Sequence, residues 1–259
     1  MKPLALVTGA SAGIGTAFAR RLAKDGYGLI LVARRRDRLE QLAHELGGAE
    51  VIEADLTREA DLERVAARIG GEPSLELLVN NAGFGIMGAF FEVPPEGQEQ
   101  MHRLHVMATL RLTHAALHGM VERKKGGIIN VSSVAAWGLS PGNVSYCATK
   151  AWMNVFTEGL DLELRSVGSP VKVQALCPGF TLSEFHDVAK MDRKTIPAWL
   201  WMKAEDVVDE SLAGLARGKL IVVPGRFYKT LVMFLRWVPK WVHRSGAQRY
   251  ARRRSEGRL

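Results

Sequence analysis

Tyr146 and Lys150 stand four residues apart in the run Tyr146-Cys147-Ala148-Thr149-Lys150, and Ser133 lies thirteen residues before the tyrosine. At that spacing a phenol and an ammonium share one face of a helix. An ammonium beside a phenol favours the ionised form, so the pair predicts a Tyr146 pKa below the reference value of about 10. Such a phenol can give and take a proton near neutral pH. Tyr-x3-Lys is also a frequent surface pair on any helix. What sets this one apart is a glycine turn early in the sequence, where a dinucleotide-binding fold would need one.

The elements that must position these residues alternate from the first residues onward. Strands are predicted at Leu4–Val7, Gly28–Val32, Val51–Ala54, Leu75–Val79, Ile128–Val131, Val171–Leu176 and Leu220–Val223. Helices are predicted over Thr16–Lys24, Asp37–Leu46, Glu59–Ile69, within Glu96–Lys124, and over Ser145–Val167. Strand–helix alternation argues for a parallel sheet with helices on both faces, a Rossmann-type doubly wound α/β fold of about seven strands. No linker or composition break precedes residue 225 or so, which predicts a catalytic domain over 1–225 and a basic amphipathic extension over 226–259.

The first strand runs into Thr8-Gly9-Ala10-Ser11-Ala12-Gly13-Ile14-Gly15 and then a helix. Glycines permit the tight turn and let backbone approach a pyrophosphate at the positive end of the helix. Thr8, Gly9, Ser11, Gly13, Ile14 and Gly15 are therefore candidate cofactor contacts. NAD-preferring folds place an acid about 20 residues further on, for the ribose 2′-hydroxyl. Here that stretch reads Ala33-Arg34-Arg35-Arg36, with no acid before Asp37. Guanidinium groups there suit a 2′-phosphate. The cofactor expected is NADP(H), with Arg34, the first after the strand, as the phosphate ligand.

With Asp55-Leu56 after the third strand, Asn80-Asn81-Ala82-Gly83 after the fourth, and Pro178-Gly179 after the sixth, the chain resembles the short-chain dehydrogenase/reductase family over roughly residues 3–225. The resemblance implies that Tyr146 donates a proton to a carbonyl oxygen, that Ser133 holds the same oxygen, and that Lys150 binds the nicotinamide ribose and depresses the Tyr146 pKa. It implies adenine recognition by Asp55 with Leu56 beside it, a cofactor wall from Asn81 to Gly83, and a cap on the nicotinamide pocket from Pro178-Gly179. No metal is implied. Near the nicotinamide carboxamide the family often has a threonine. Here either Thr181 or Ser183 offers the hydroxyl.

One departure stands out. The family completes its site with an asparagine on the long helix before the fifth strand, and this chain has His105 there. No asparagine occurs between Asn81 and Asn130. Met101, His105, Ala108 and Leu112 share a helical face, so His105 points inward. It is either a core histidine satisfied by backbone or a stand-in for the asparagine, holding a water that links Lys150 to solvent in a proton relay.

Of the net charge of +8, the tail from Arg226 onward supplies ten Lys+Arg against one acid, leaving 25 bases and 26 acids in residues 1–225. A neutral body argues against nucleic acid as a partner. Cys147 and Cys177 have no metal or disulfide spacing and read as buried thiols. With no signal-peptide core and no spanning run, the expected location is cytoplasmic. Phe84, Trp137, Phe185, Trp199, Leu200, Trp201 and Met202 are expected around the site, about half of them as ordinary core, which favours a small hydrophobic ketone, aldehyde or acyl chain as substrate, such as a 3-oxoacyl or other lipid ketone. In the tail, Phe227, Leu231, Phe234, Leu235, Val238 and Val242 form an apolar stripe beside Lys229, Arg236, Lys240 and Arg244, with Trp237 and Trp241 near its end and Pro239 dividing it. That pattern fits either packing on the body or peripheral contact with a membrane surface. The reading is an NADP(H)-dependent carbonyl reductase, a homo-oligomer by resemblance. The rival is a catalytically weak NADP(H)-binding sensor or scaffold.

Overall fold

The computed structural model describes residues 2–185, 196–238, 245, 247 and 248. Seven parallel strands form one sheet: β1 (Leu4–Thr8), β2 (Gly28–Ala33), β3 (Glu50–Glu53), β4 (Leu75–Asn80), β5 (Gly127–Val131), β6 (Lys172–Leu176) and β7 (Ile221–Val222). Their order is β3-β2-β1-β4-β5-β6-β7, so the chain reverses direction across the sheet between β1 and β4. Ligands in such sheets bind at that reversal, outside the carboxyl ends of the strands. The strands at the centre are mostly apolar, as expected where helices cover both faces, and their buried Asn80 and Asn130 are bonded to each other. In β5 every residue from Gly127 to Val131 is buried.

The helices are α1 (Gly13–Lys24), α2 (Arg36–Glu45), α3 (Glu59–Ile69), α4 (Pro95–His102), α5 (Thr109–Glu122), α6 (Val144–Ser166), α7 (Ala204–Ala216) and α8 (Arg226–Trp237). One core packs β1, β2, β4 and β5 against α1, α2 and α7, centred on Phe18, Leu31, Val79 and Val207. The opposite core uses Leu6, Ile30, Leu78 and Ile128 against α3 and α5. Every predicted strand and helix is present within a few residues of its expected bounds. The helix expected within 96–124 is interrupted, however, by a π-helical stretch, Arg103–Ala108, that joins α4 to α5. Such widened turns re-aim side chains and are frequent at functional sites. His105 lies in it.

The tail is not separate from the body. Tyr228 and Val232 of α8 are buried in a third cluster with Ala175, Cys177 and Val223, and Leu200, Met202 and Trp137 pack on it. The Tyr228 hydroxyl donates to Leu200 O at 2.8 Å and accepts from Phe180 N at 3.1 Å. Its ring lies so near Gly179 that a Cβ there would come within 2.1 Å of Cζ. The start of the expected extension, at Tyr228 and Val232, is thus in direct contact with the body. The expected apolar stripe is also divided. Tyr228, Leu231, Val232 and Leu235 face inward, while Phe227, Met233, Phe234 and Trp237 are exposed. Pro239, Lys240, Trp241, Val242 and Arg244 lie outside the described residues. Among the described residues no helix is long and apolar enough to cross a membrane.

Candidate active site

The carboxyl ends of β1, β4, β5 and β6 carry the site, and a hydroxyl welds two of them. Thr8, at the end of β1, donates from Oγ1 to Val79 O at 3.2 Å and accepts from the backbone N–H groups of Asn81 and Ala82 at 2.9 and 3.0 Å. Asn81 returns the tie with Nδ2 to Thr8 O at 2.8 Å. The glycine turn and the Asn81–Gly83 loop are thus one rigid unit. Helix α1 starts at Gly13 after Ala12, which has no capping side chain. The first-turn N–H groups consequently have no side-chain acceptor, the arrangement that suits a phosphate.

The residues present fit a dinucleotide. Gly13 has φ of +54°, and a Cβ there would approach Ser183 Cβ to 2.6 Å, while a Cβ on Gly15 would approach Gly9 O to 2.3 Å. The turn is therefore a cradle only glycine can line. Ser183, rather than Thr181, lies over it. Thr181 is buried, bonds back to Gly179 O at 3.1 Å and bridges to Met202. Pro178 O accepts from Val134 N at 3.1 Å, which ties the segment after β6 to the one after β5. Asp55 holds its own turn, accepting from Thr57 N and Oγ1 on Oδ1, and its Oδ2 makes no bond among the described residues. Leu56 is buried in the core and offers only backbone.

The arginine expected to meet a 2′-phosphate is not the one turned toward the site. Arg34 is exposed and makes no hydrogen bond among the described residues. Arg35 folds back over the turn, donating from Nε and Nη2 to Ser11 Oγ at 3.3 and 3.0 Å. Strand parity explains the difference. Leu29, Leu31 and Ala33 face the α1 side with Ala10 and Ile14, and residue 35 continues that side, whereas Arg34 follows Ile30 and Val32. Arg38, one turn into α2, joins Arg35.

Ser133, Tyr146 and Lys150 come together above β5. Ser132 Oγ donates to Lys150 O at 2.9 Å, and Lys150 Nζ donates to Val131 O at 2.7 Å while lying 5.7 Å from the centre of the Tyr146 ring. Both groups are shifted by burial. Desolvation pushes the Tyr146 phenol up to about 12, opposed by the Ser133 hydroxyl. It brings the Lys150 ammonium down to about 8. The spacing argument expected Lys150 to lower the Tyr146 pKa. In the free chain burial outweighs that effect, because the ammonium is bonded to a carbonyl and not to the phenol. A phenol at about 12 is fully protonated at neutral pH, the form a proton donor needs. Cys177, pushed up to about 12 by the same burial, stays a neutral thiol nearby.

His105 is wholly buried, with both ring nitrogens engaged. Nε2 accepts from Phe84 N at 3.2 Å, so Nδ1 carries the proton and donates to Thr149 Oγ1 at 2.9 Å. Desolvation, then the charges of Lys150 and His102, hold its pKa well below the usual 6.5. No ring nitrogen is left to hold a water for a relay. The ring instead bridges the Gly83–Phe84 loop to the helix that carries Tyr146, whose ring meets it edge-on at 5.8 Å. This is the satisfied core histidine, placed between two walls of the site.

Phe185 lies against Tyr146, ring centres 5.6 Å apart, and Phe84 against His105 at 6.2 Å. Trp137, Leu200 and Met202 instead belong to the core beneath α8, and Trp199 stands edge-on to Phe227, 4.9 Å away. Sequence reasoning did not single out the contact of Arg35 with Ser11, which strand parity could have found, or Tyr228, whose partner Gly179 lies far off in sequence.

The family model for short chain dehydrogenase matches residues 3–194. A short-chain dehydrogenase from Sphingobium yanoikuyae, solved in complex with NADPH, is 35% identical, with a TM-score of 0.81 and coverage of 99% of this chain and 96% of that one. The bulky-bulky ketone specific alcohol dehydrogenase from Comamonas testosteroni is 32% identical, with a TM-score of 0.78 and coverage of 99% and 94%. A very-long-chain 3-oxoacyl-CoA reductase from Anas platyrhynchos is 35% identical over 196 residues, 72% of this chain and 62% of that protein.

Proposed function

The chain belongs to the short-chain dehydrogenase family, and from that premise we propose that it is an NADP(H)-dependent oxidoreductase acting on the carbonyl or alcohol of a hydrophobic substrate. The observation that carries the reading is the meeting of Ser133, Tyr146 and Lys150 beside a glycine cradle. Arg35 on the glycine turn and Arg38 beside it, with no acid among residues 34–36, favour a 2′-phosphate. The NADPH held by the Sphingobium relative supports it.

When bound, the nicotinamide supplies the hydride. The chain's part begins with the protonated Tyr146 phenol, which gives its proton to the carbonyl oxygen. Ser133 donates to the same oxygen and stabilises the charge that develops there. Lys150 adds a positive potential under the phenolate that remains, which makes proton release easier than in an empty apolar pocket. Phe84 and Phe185 line the approach to Tyr146 and exclude water. His105 positions the Phe84 backbone against the catalytic helix. Apolar walls, and similarity to a bulky-bulky ketone specific alcohol dehydrogenase and a very-long-chain 3-oxoacyl-CoA reductase, favour a bulky or acyl-chain ketone.

NADPH oxidation with a panel of apolar ketones tests this reading, with Tyr146→Phe as the control. Turnover that the phenylalanine variant lacks supports it. Tight NADPH binding with no reduction of any ketone would favour the sensor or scaffold. The outward face of α8, with Phe234 64% and Trp237 83% exposed beside Arg226 and Arg236, suits peripheral contact with an anionic membrane surface. Failure of the full chain to pellet with anionic liposomes at low salt would remove that part. A homo-oligomer is the assembly we expect, and light scattering of the purified chain decides it.

A further inference from the structure

Glu184 lies in the segment that follows Gly179, and its carboxylate is shared between two guanidinium groups. Oε2 accepts from Arg35 Nη1 at 2.7 Å, and Oε1 accepts from Arg38 Nη1 at 2.5 Å. Arg35 also holds Ser11 Oγ in the glycine turn. Two guanidiniums and a hydroxyl thus converge at the end of β2, where an adenosine ribose would lie. That donor set suits a phosphate monoester, yet the anion filling it belongs to the chain itself.

We propose that Glu184 is a built-in occupant of the 2′-phosphate site, holding Arg35 and Arg38 in the free chain and yielding them when NADP(H) binds. The inference rests on the NADP(H) reading above. Hydrogen bonds from Arg35 and Arg38 keep the Glu184 carboxyl below the usual carboxylate range, so it is ionised at neutral pH. A dianionic phosphate cannot share the two arginines with it without repulsion. A nucleotide lacking the 2′-phosphate makes no such demand, and Glu184 stays where it is.

The neighbours of Glu184 give the exchange a consequence. Ser183 lies on Gly13, and Phe185 lies against the Tyr146 ring. The residue that blocks the phosphate site is therefore flanked by one that covers the turn and one that covers the catalytic phenol. Release of Glu184 removes one tie from the stretch that carries both.

Isothermal titration of the full chain, wild type and Glu184→Gln, with adenosine 2′,5′-bisphosphate and with 5′-AMP, tests the proposal. Glu184 is half exposed and glutamine keeps its shape, so the fold is retained. Two half-exposed ion pairs are worth little each, and their removal should tighten bisphosphate binding roughly three- to tenfold while leaving 5′-AMP within about twofold. Adding Arg35→Gln to the variant should abolish the gain. Unchanged or weaker bisphosphate binding would mean that Glu184 only buttresses the arginines, and equal tightening of both nucleotides would mean a general charge effect. Either overturns the proposal. If neither form prefers the bisphosphate to 5′-AMP, the NADP(H) reading fails and the proposal with it. A wild-type preference without a gain in the variant leaves that reading standing and removes only the role of Glu184.

Discussion

Replacing His105 with glutamine should flatten the acid limb of the protein's stability. The imidazole is buried and neutral, with a pKa held well below 6.5 by desolvation. In the unfolded chain it titrates near 6.5, so below that pH the unfolded state binds the extra proton and the folded state does not. Stability therefore rises with pH up to about 6.5 and is level above it, with a slope of at most about 1.4 kcal/mol per pH unit. Between pH 6.5 and 5 the loss from this one residue reaches up to about 2 kcal/mol, roughly 4–8 °C in Tm for a chain of this size. Glutamine can accept from Phe84 N and donate to Thr149, so the variant keeps both bonds without a titrating group. The assay is urea denaturation of both forms at equal protein concentration, at pH 5, 6.5 and 8. Stability of the variant relative to wild type should increase by about 1–2 kcal/mol from pH 6.5 to 5. Parallel acid limbs for the two proteins would refute the argument from burial.

Gly179→Ala should destabilise the protein by about 1–3 kcal/mol, because the methyl enters the Tyr228 ring; calorimetry showing an unchanged Tm would contradict this. Gly15→Ala should leave the sheet intact by circular dichroism but weaken NADPH binding at least tenfold in titration, as the methyl meets Gly9 O at 2.3 Å. Lys150 holds its proton below about 8 and Tyr146 below about 12. Reductive kcat/KM should therefore be level through pH 7 and fall above about 8, and a profile level to pH 9.5 would show that the Lys150 charge is not needed.

The sheet and its helices were legible because buried parallel strands read as short apolar runs punctuated by glycine turns, and tertiary packing here agrees with that local pattern. The meeting of Ser133, Tyr146 and Lys150 was legible from spacing, but its electrostatics were not. Tyr-x3-Lys says that two groups are neighbours and says nothing of how much water reaches them, and burial decides the sign of the Tyr146 shift. At the arginines, the side chain that contacts the glycine turn is one residue beyond the one selected. Position after the strand selected Arg34, although the alternation of side chains across β2 puts Arg35 on the side of the glycine turn. His105 was rightly placed inward. Its second bond, to Thr149, joins residues 44 apart and could not be read from one helix. The tail was divided by charge, a surface property, whereas Tyr228 and Val232 belong to the core.

The contact between Tyr228 and Gly179 also sets an order of assembly. A chain emerging from a ribosome from its first residue forms β1, the glycine turn, β4 and the Ser133–Lys150 group long before α8 exists. Phe180 N and Leu200 O gain the Tyr228 hydroxyl as a partner only when α8 arrives. Nascent chains arrested before residue 228 therefore lack the ties that Tyr228 gives to the segment after β6.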